Sequence, residues 1–423
     1  DYTFVQMENN RTPMHISPVM FYDQSKLKRG KVRFKEILTV FERNLHKSAV
    51  FRRKLAGGAM GLDTPFWVED EHFDLEFHVR HIALPKPGDW RQLCILLARL
   101  QARGLDMRRP LWEAYVIEGL NDVEGLPPNS FAIMMKVPHA AIDGVSAAEI
   151  IAAIHSQTKE AEPPPVEDHW QPEGAPSPLT VWSRAYVNNI KRPVRLLETA
   201  AEMIPRAIRA GRESGQENGA DRPAPSKVRF NEIKNAVPGT TVNDVIVSVV
   251  GGGLRKYLQA KDELPESSLS CGAPINVRAE RNSESIGNQV GVMTIDMATD
   301  VEGALDRLKA VSEHARESKA YSSALGASAM MDISKGLWPQ FTGAAMRLAT
   351  LAAVNSDVAL PVHTVVSNVP GPQVPLYLAG ADLHMIMGIG PVLDMMGLFP
   401  GVISGAGKIT INFVSCREML PDP

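Results

Sequence analysis

The chain has 423 residues, 44% of them hydrophobic and 22% charged, with a formal net charge of -3. That length exceeds what one hydrophobic core usually supports, so two domains or subdomains are expected, and the composition excludes a disordered polypeptide. The charge balance leaves no footprint for nucleic acid. Cys94, Cys271 and Cys416 are odd in number and far apart, which fits neither a disulfide framework nor a zinc site and points to a reducing compartment. No leader is visible at the start, which begins at Asp1 rather than at a methionine.

In chain order, Ile16 to Tyr22 reads as a strand, and Phe34, Ile37, Leu38, Phe41 and Leu45 give residues 32–46 a helical period. Basic flanks surround that helix (Lys26 to Lys35, Arg52 to Lys54), read either as a solvated face or as a surface for anionic groups. Phe66 to Val68 and Phe73 to His81 alternate like strands. His72, His78 and His81 lie among them without the spacing of a zinc ligand set, so no metal is expected. Trp90 to Leu100 reads as a helix and Ala114 to Ile117 as a strand.

Residues 130–137 read as a buried strand and 145–155 as a helix with Ile150, Ile151 and Ile154 on one face. A proline-rich acidic linker follows from Glu160 to Pro178, then a basic amphipathic helical segment over 179–212. That segment suits either a membrane surface or a bridge between domains. The expected boundaries are therefore an N-terminal subdomain at 1–159, a linker region at 160–226 and a C-terminal subdomain at 227–423.

In the second half, 245–258 reads as an apolar helix with Gly251, Gly252 and Gly253 in its middle. Interior glycines cost roughly 1 kcal/mol each relative to alanine, so close approach of a backbone or a ligand chain is expected there. Ser270 to Val277 and Val290 to Met297 read as strands, 301–320 as a helix, and Val362 to Ser367 as a strand entering a rigid turn at Asn368 to Pro372. Short strands and glycine-rich turns fill 384–415. The apolar run 341–360 is interrupted by Arg347, Asn355 and Asp357, so it reads as a core helix and no transmembrane anchor is expected.

The chemistry-bearing stretch is Val137-Pro138-His139-Ala140-Ala141-Ile142-Asp143-Gly144. A histidine on a turn between strand and helix, with an ordinary pKa of about 6.5, can take a proton near neutrality. Read alone, it is more often a hydrogen-bonded core histidine with Asp143 as a helix N-cap.

His139 to Gly144 resembles the HHxxxDG motif of CoA-dependent acyltransferases. Further matches stand in order along the chain: Thr12-Pro13-Met14-His15, Arg109-Pro110-Leu111-Trp112-Glu113, Val242-Asn243-Asp244-Val245, Gly252-Gly253-Leu254-Arg255, Pro274 to Arg278, Gly287-Asn288-Gln289-Val290, Ser367 to Pro372 and Pro375 to Gly380. Together they resemble the bacterial wax ester synthase/diacylglycerol acyltransferase family over nearly the full length. Two departures stand out. Pro138 replaces the first motif histidine, and the strand and helix that the family usually carries between Asn231 and the Asn243-Asp244 motif are missing.

The resemblance implies an α/β (α+β) fold of two chloramphenicol acetyltransferase-like subdomains with mixed sheets and a tunnel at their interface. It implies acyl transfer from acyl-CoA, as co-substrate and without a further cofactor, to a fatty alcohol or diacylglycerol. His139 is then the general base, Asp143 an architectural partner of Arg278 in a salt bridge, and Gly144 a point of close substrate approach. Asn243 is the first candidate for the oxyanion donor and Asn288 the second. Gly252 is expected to line the acyl chain. Other acceptors on the same scaffold, and a non-catalytic lipid-binding relative, are the competing readings. A cytoplasmic protein with peripheral contact to the inner membrane face or lipid inclusions is expected.

Overall fold

The computed structural model describes residues 8, 12–28, 30–57, 65–139, 141, 150–159, 170–172, 174, 176–190, 229–276, 290–325, 362–393, 396–405 and 407–421. The chain divides into two compact units. The first comprises Asp1–Asn188, Val369–Pro391 and Ile403–Asn412, and the second Asn189–Asn368, Val392–Val402 and Phe413–Pro423.

The first unit is built from β1 (His15–Asp23), α1 (Phe34–Asn44), β2 (Arg53–Ala56), β3 (Phe66–Glu69), α2 (Leu75–His78), β4 (Val79–Ala83), α3 (Trp90–Gln101), β5 (Glu113–Glu118) and β6 (Phe131–Pro138). The second contributes α4 (Arg229–Ala236), α5 (Val242–Ala260), β7 (Ser270–Asn276), β8 (Val290–Asp296), α6 (Ala304–Leu325) and β9 (Thr364–Val365). The chain ends in β10 (Ser367–Pro370), β11 (Tyr377–Leu378), β12 (Ala381–Ile389), β13 (Leu398–Gly405) and β14 (Lys408–Ser415).

The first unit's sheet has the order β11-β12-β1-β6-β5-β4. It is mixed, because β4 and β5 run parallel while the other pairs run antiparallel. β1 is central and covered on both faces, so Val19, Met20, Phe21 and Tyr22 are all fully buried and the strand reads as an unbroken apolar run. On one face Met20, Tyr22, Ile133 and Trp112 pack with Ile37, Val40 and Phe41 of α1 and with Ile150, Ile151 and Ile154. On the other, Phe21 meets the ring of Trp90 at the start of α3 edge-on, 6.1 Å between centroids.

The helix starts are chemically explicit. α3 opens with a capping box in which Gln92 N–H donates to Asp89 Oδ1 at 2.8 Å and Asp89 N–H donates to Gln92 Oε1 at 3.3 Å. Trp112 of the Pro110-Leu111-Trp112 run is a packing anchor. It stacks on His78 at 4.7 Å and on Phe41 at 5.8 Å, and its indole N–H donates to the Phe51 carbonyl at 2.9 Å.

In the second unit β7 pairs antiparallel with β8 and parallel with β9, giving a mixed sheet of order β8-β7-β9. α5 packs on α6 and α4 around Val237, Val245 and Leu308.

Three features differ from the sequence expectations. The compact units do not follow a boundary at 227, because β12 pairs along β1 and brings chain-terminal strands into the first unit's sheet. Within 73–81 the backbone makes one helical turn, α2, before β4. Asp74 caps that turn by accepting from Glu76 N–H at 3.0 Å, and a local cap overrides an alternating pattern this short. Ser367 to Pro370 is strand β10 rather than a turn, and the Gly371 N–H donates to the Ser404 carbonyl at 2.6 Å. The expected core helix at 341–360 lies outside the described residues, as does most of the linker.

Candidate active site

Every residue of β6, Phe131 to Pro138, is buried, and the strand delivers His139 onto the turn that follows. The turn closes with Ala141 N–H donating to the Pro138 carbonyl at 3.0 Å. The histidine backbone is tied to β1 as well: His139 N–H donates to the Met14 carbonyl at 2.9 Å, one step beyond the His15–Pro138 register pair. By the alternation of an antiparallel ladder, His15 and Pro138 are then the non-hydrogen-bonded pair, whose side chains stand closest. β5 pairs with β6 only as far as Lys136, so no strand partner waits for an N–H at 138. A proline is accommodated here without cost to the ladder.

Beneath this turn the C-terminal end of α3 meets β1 and β6. The Gln101 carbonyl, an orphan acceptor of the last helical turn, receives the His15 ring Nε2–H at 2.6 Å. The Gln101 side chain uses both ends, its Nε2 donating to the His15 carbonyl at 3.0 Å and its Oε1 accepting from Ser17 Oγ at 2.7 Å. The Lys136 ammonium donates to the Arg103 carbonyl at 2.6 Å, a cation placed where the helix dipole is negative.

The electrostatics follow from burial. A carbonyl can only accept, so His15 carries its proton on Nε2. Desolvation, with Lys136 nearby, lowers its pKa to about 4 and keeps the ring neutral. Lys136 is fully buried. Desolvation lowers its pKa, and Glu113, 3.6 Å away, works against that shift. Glu113 also accepts from Tyr115 Oη at 2.6 Å and faces Arg80 at 3.5 Å, so the buried cation sits in a network rather than alone.

In the second unit, Thr241 and Asp244 form a capping box at the start of α5. Thr241 N–H donates to Asp244 Oδ2 at 2.8 Å and Asp244 N–H to Thr241 Oγ1 at 3.2 Å. Of the Asn243-Asp244 pair, the aspartate is thus consumed by the helix start. Asn243, half-buried in the first turn, keeps its amide at the positive end of the helix. Further along, the space over Gly252 is filled by the Arg307 guanidinium, 2.6 Å from where a Cβ would stand. Arg307 is itself held by the carbonyls of Ser248 at 3.2 Å and Val301 at 3.0 Å. The close approach expected of this glycine is made by a side chain of α6. Gly251 faces the Met297 backbone, and Gly253 has open space around it.

His139 thus belongs to the first unit, and Asn243 and Gly252 share α5 of the second. Asp143, Gly144, Arg278 and Asn288 lie outside the described residues. Among the described residues no cluster of histidine, cysteine and carboxylate side chains has the makings of a metal site, and no helix is long and apolar enough to cross a membrane. Sequence reasoning did not single out Gln101. The available signal was a polar residue on the buried stripe of Leu93, Leu97 and Leu100.

Comparison with known proteins places this geometry in a family. The profile of the wax ester synthase/diacylglycerol acyltransferase catalytic domain matches residues 1–237, and that of the WS/DGAT C-terminal domain matches residues 286–423. A Mycobacterium tuberculosis (strain CDC 1551 / Oshkosh) protein carrying a diacylglycerol O-acyltransferase name is 29% identical over 100% of this chain and 86% of its own. The O-acyltransferase WSD of Acinetobacter baylyi is 27% identical over 100% of this chain and 92% of its own. The solved wax ester synthase/diacylglycerol acyltransferase from Marinobacter aquaeolei VT8 superposes with a TM-score of 0.65 at 27% identity, covering 99% of this chain and 92% of that one. The first condensation domain of the calcium-dependent antibiotic synthetase shares the fold, with a TM-score of 0.51 at 13% identity over 96% of this chain and 86% of that one. The chain belongs to the wax ester synthase/diacylglycerol acyltransferase family and is an acyltransferase.

Proposed function

We propose that the protein moves a long-chain acyl group from acyl-CoA to the hydroxyl of a fatty alcohol or a diacylglycerol, with His139 as general base. A free alcohol is a poor nucleophile at neutral pH, and a base aligned on its proton removes that proton as the oxygen attacks the thioester carbonyl. His139 takes the proton and returns it to the departing CoA thiolate. The transfer is direct, since the sequence holds no Gly-x-Ser-x-Gly nucleophile elbow. Thioester chemistry of this kind runs on a base and an oxyanion donor, so acyl-CoA enters as co-substrate and no cofactor is required. Asn243 is the proposed donor to the tetrahedral oxyanion, with Asn288 second. Asp143 and Arg278 are proposed to shape the loop as a salt bridge, with Gly144 giving the substrate close access.

The observation that carries the reading is the placement of His139 on a turn fixed from both sides, by the end of β6 and by the Met14 carbonyl. Purified protein given palmitoyl-CoA with hexadecanol or with diacylglycerol is expected to release free CoA. His139→Ala is expected to lower that release roughly 100-fold or more, the scale of a lost general base. Undiminished turnover in the variant refutes the base, and acyl-CoA binding without release in the wild type favours a non-catalytic lipid binder.

The same reading places the protein at lipid surfaces. Residues 178–190 are helical and expose Leu179 (79%), Trp182 (45%) and Tyr186 (69%) at helical spacing, ahead of Lys191, Arg192 and Arg195 in the sequence. Amphipathic aromatics with neighbouring cations suit an anionic interface. Flotation with anionic liposomes is expected to weaken when Arg192 and Arg195 are neutralised, and unchanged flotation counts against this helix.

A further inference from the structure

We infer that Gln101 is a positioning residue for His139, acting through the end of β1 rather than on substrate. The inference rests on His139 being the base. His139 is fixed to β1 by the hydrogen bond from its N–H to the Met14 carbonyl. Besides the ladders with β6 and β12, that end of β1 is held through His15 and Ser17, both bonded to Gln101. The glutamine amide donates to the His15 carbonyl and accepts from the Ser17 hydroxyl, while its backbone carbonyl accepts from the His15 ring. All three groups are buried.

Three bonds from one residue at the end of α3 therefore add to the ladders in setting where the Met14 carbonyl stands. The Met14 carbonyl in turn sets one anchor of the catalytic turn. The brace joins residues far apart in the chain, so no local sequence preference can replace it. Lys136 reaches the Arg103 carbonyl from β6 and pins the other strand to the same helix end. Both strands that carry the turn are thereby tied to one rigid element. A base displaced by a fraction of an ångström loses alignment on the alcohol proton while the binding surfaces for acyl-CoA stay in place. The signature is a loss in kcat with KM preserved.

The test compares three full-length variants by kcat and KM for palmitoyl-CoA at saturating acceptor. Gln101→Leu removes both side-chain bonds and is expected to lower kcat roughly tenfold or more, with KM within about twofold. Ser17→Ala removes one bond at little risk to folding and is expected to lower kcat by a smaller factor in the same pattern. Leu97→Ala, on the same helix and buried among apolar groups, is expected to lower thermal stability yet leave kcat near the wild-type value.

Wild-type kcat in Ser17→Ala together with wild-type kcat in Gln101→Leu overturns the inference. So does an equal loss of kcat in Leu97→Ala, since the effect would then follow stability alone. Where Gln101→Leu fails to fold, Ser17→Ala against Leu97→Ala decides. His139→Ala run alongside separates the two levels. Full turnover in that variant removes the base itself, whereas an inactive His139→Ala with unaffected Gln101 and Ser17 variants removes only the brace.

Discussion

Pro138 stands where the family's motif places its first histidine, and its position in the ladder explains how the strand tolerates it. The residue lies past the end of the β5 pairing and at a non-hydrogen-bonded site opposite His15, so its missing N–H leaves no acceptor unserved. The ring also limits the unfolded chain. Pro138→Ala is therefore expected to lower stability only by about 0.4–1 kcal/mol, the entropy that a compatible proline withholds from the unfolded state. Chemical denaturation of the two proteins checks this. A loss several times larger would mean that the ring packs in a way the register does not require. Lys136, two residues earlier, is different in kind, because its charge is buried and Glu113 partly offsets the cost.

Among the elements, α5 shows how adjacent glycines can be kept for unrelated reasons. A Cβ on Gly251 would strike the Met297 backbone, which cannot swing away. One on Gly252 would meet the Arg307 guanidinium, held by the carbonyls of Ser248 and Val301. One on Gly253 would meet nothing within 4 Å. Gly251→Ala is expected to destabilise the second unit by about 1–3 kcal/mol through overpacking. Gly253→Ala should stabilise it by about 0.5–1 kcal/mol, the ordinary gain of alanine in a helix. Thermal unfolding of both variants checks the pair, and equal shifts would contradict the packing argument. The sequence announced that these glycines were required somewhere, because three together oppose the helix. Which atoms required them was not legible, since Met297 and Arg307 lie on elements whose docking no local pattern encodes.

At the scale of the whole molecule, the same distinction separates what could be read from what could not. The His139 stretch was legible because strand, turn and helix signals and the motif all sit within a short run. The pairing of β1 with β12 was not, because it joins the two ends of the chain and depends on which strand wins a burial competition. Nor was the brace, whose partners His15 and Gln101 are 86 residues apart. The first unit so assembled buries three histidines, His15, His78 and His155, and burial lowers the pKa of each. His155 is satisfied without a charge. Its Nδ1–H donates to the Ile151 carbonyl and its Nε2 accepts from Tyr22 Oη at 2.9 Å. Burial lowers its pKa to about 4, and His15 is lowered to about 4 by burial with Lys136 adding to the effect. In the unfolded chain both return to about 6.5. Above that pH both states are neutral and the groups contribute nothing to the pH dependence. As pH falls from about 6.5 toward 4, the unfolded chain binds protons that the folded unit refuses, and stability declines by up to about 3 kcal/mol per histidine. Five of the six tryptophans, Trp67, Trp90, Trp112, Trp170 and Trp182, belong to the first unit, so tryptophan fluorescence chiefly follows its unfolding. The urea midpoint read that way is expected to fall between pH 6.5 and 4.5. His155→Gln, which offers Tyr22 an uncharged acceptor, is expected to make that fall shallower. Identical slopes in the two proteins would show that His155 takes up its proton as readily folded as unfolded.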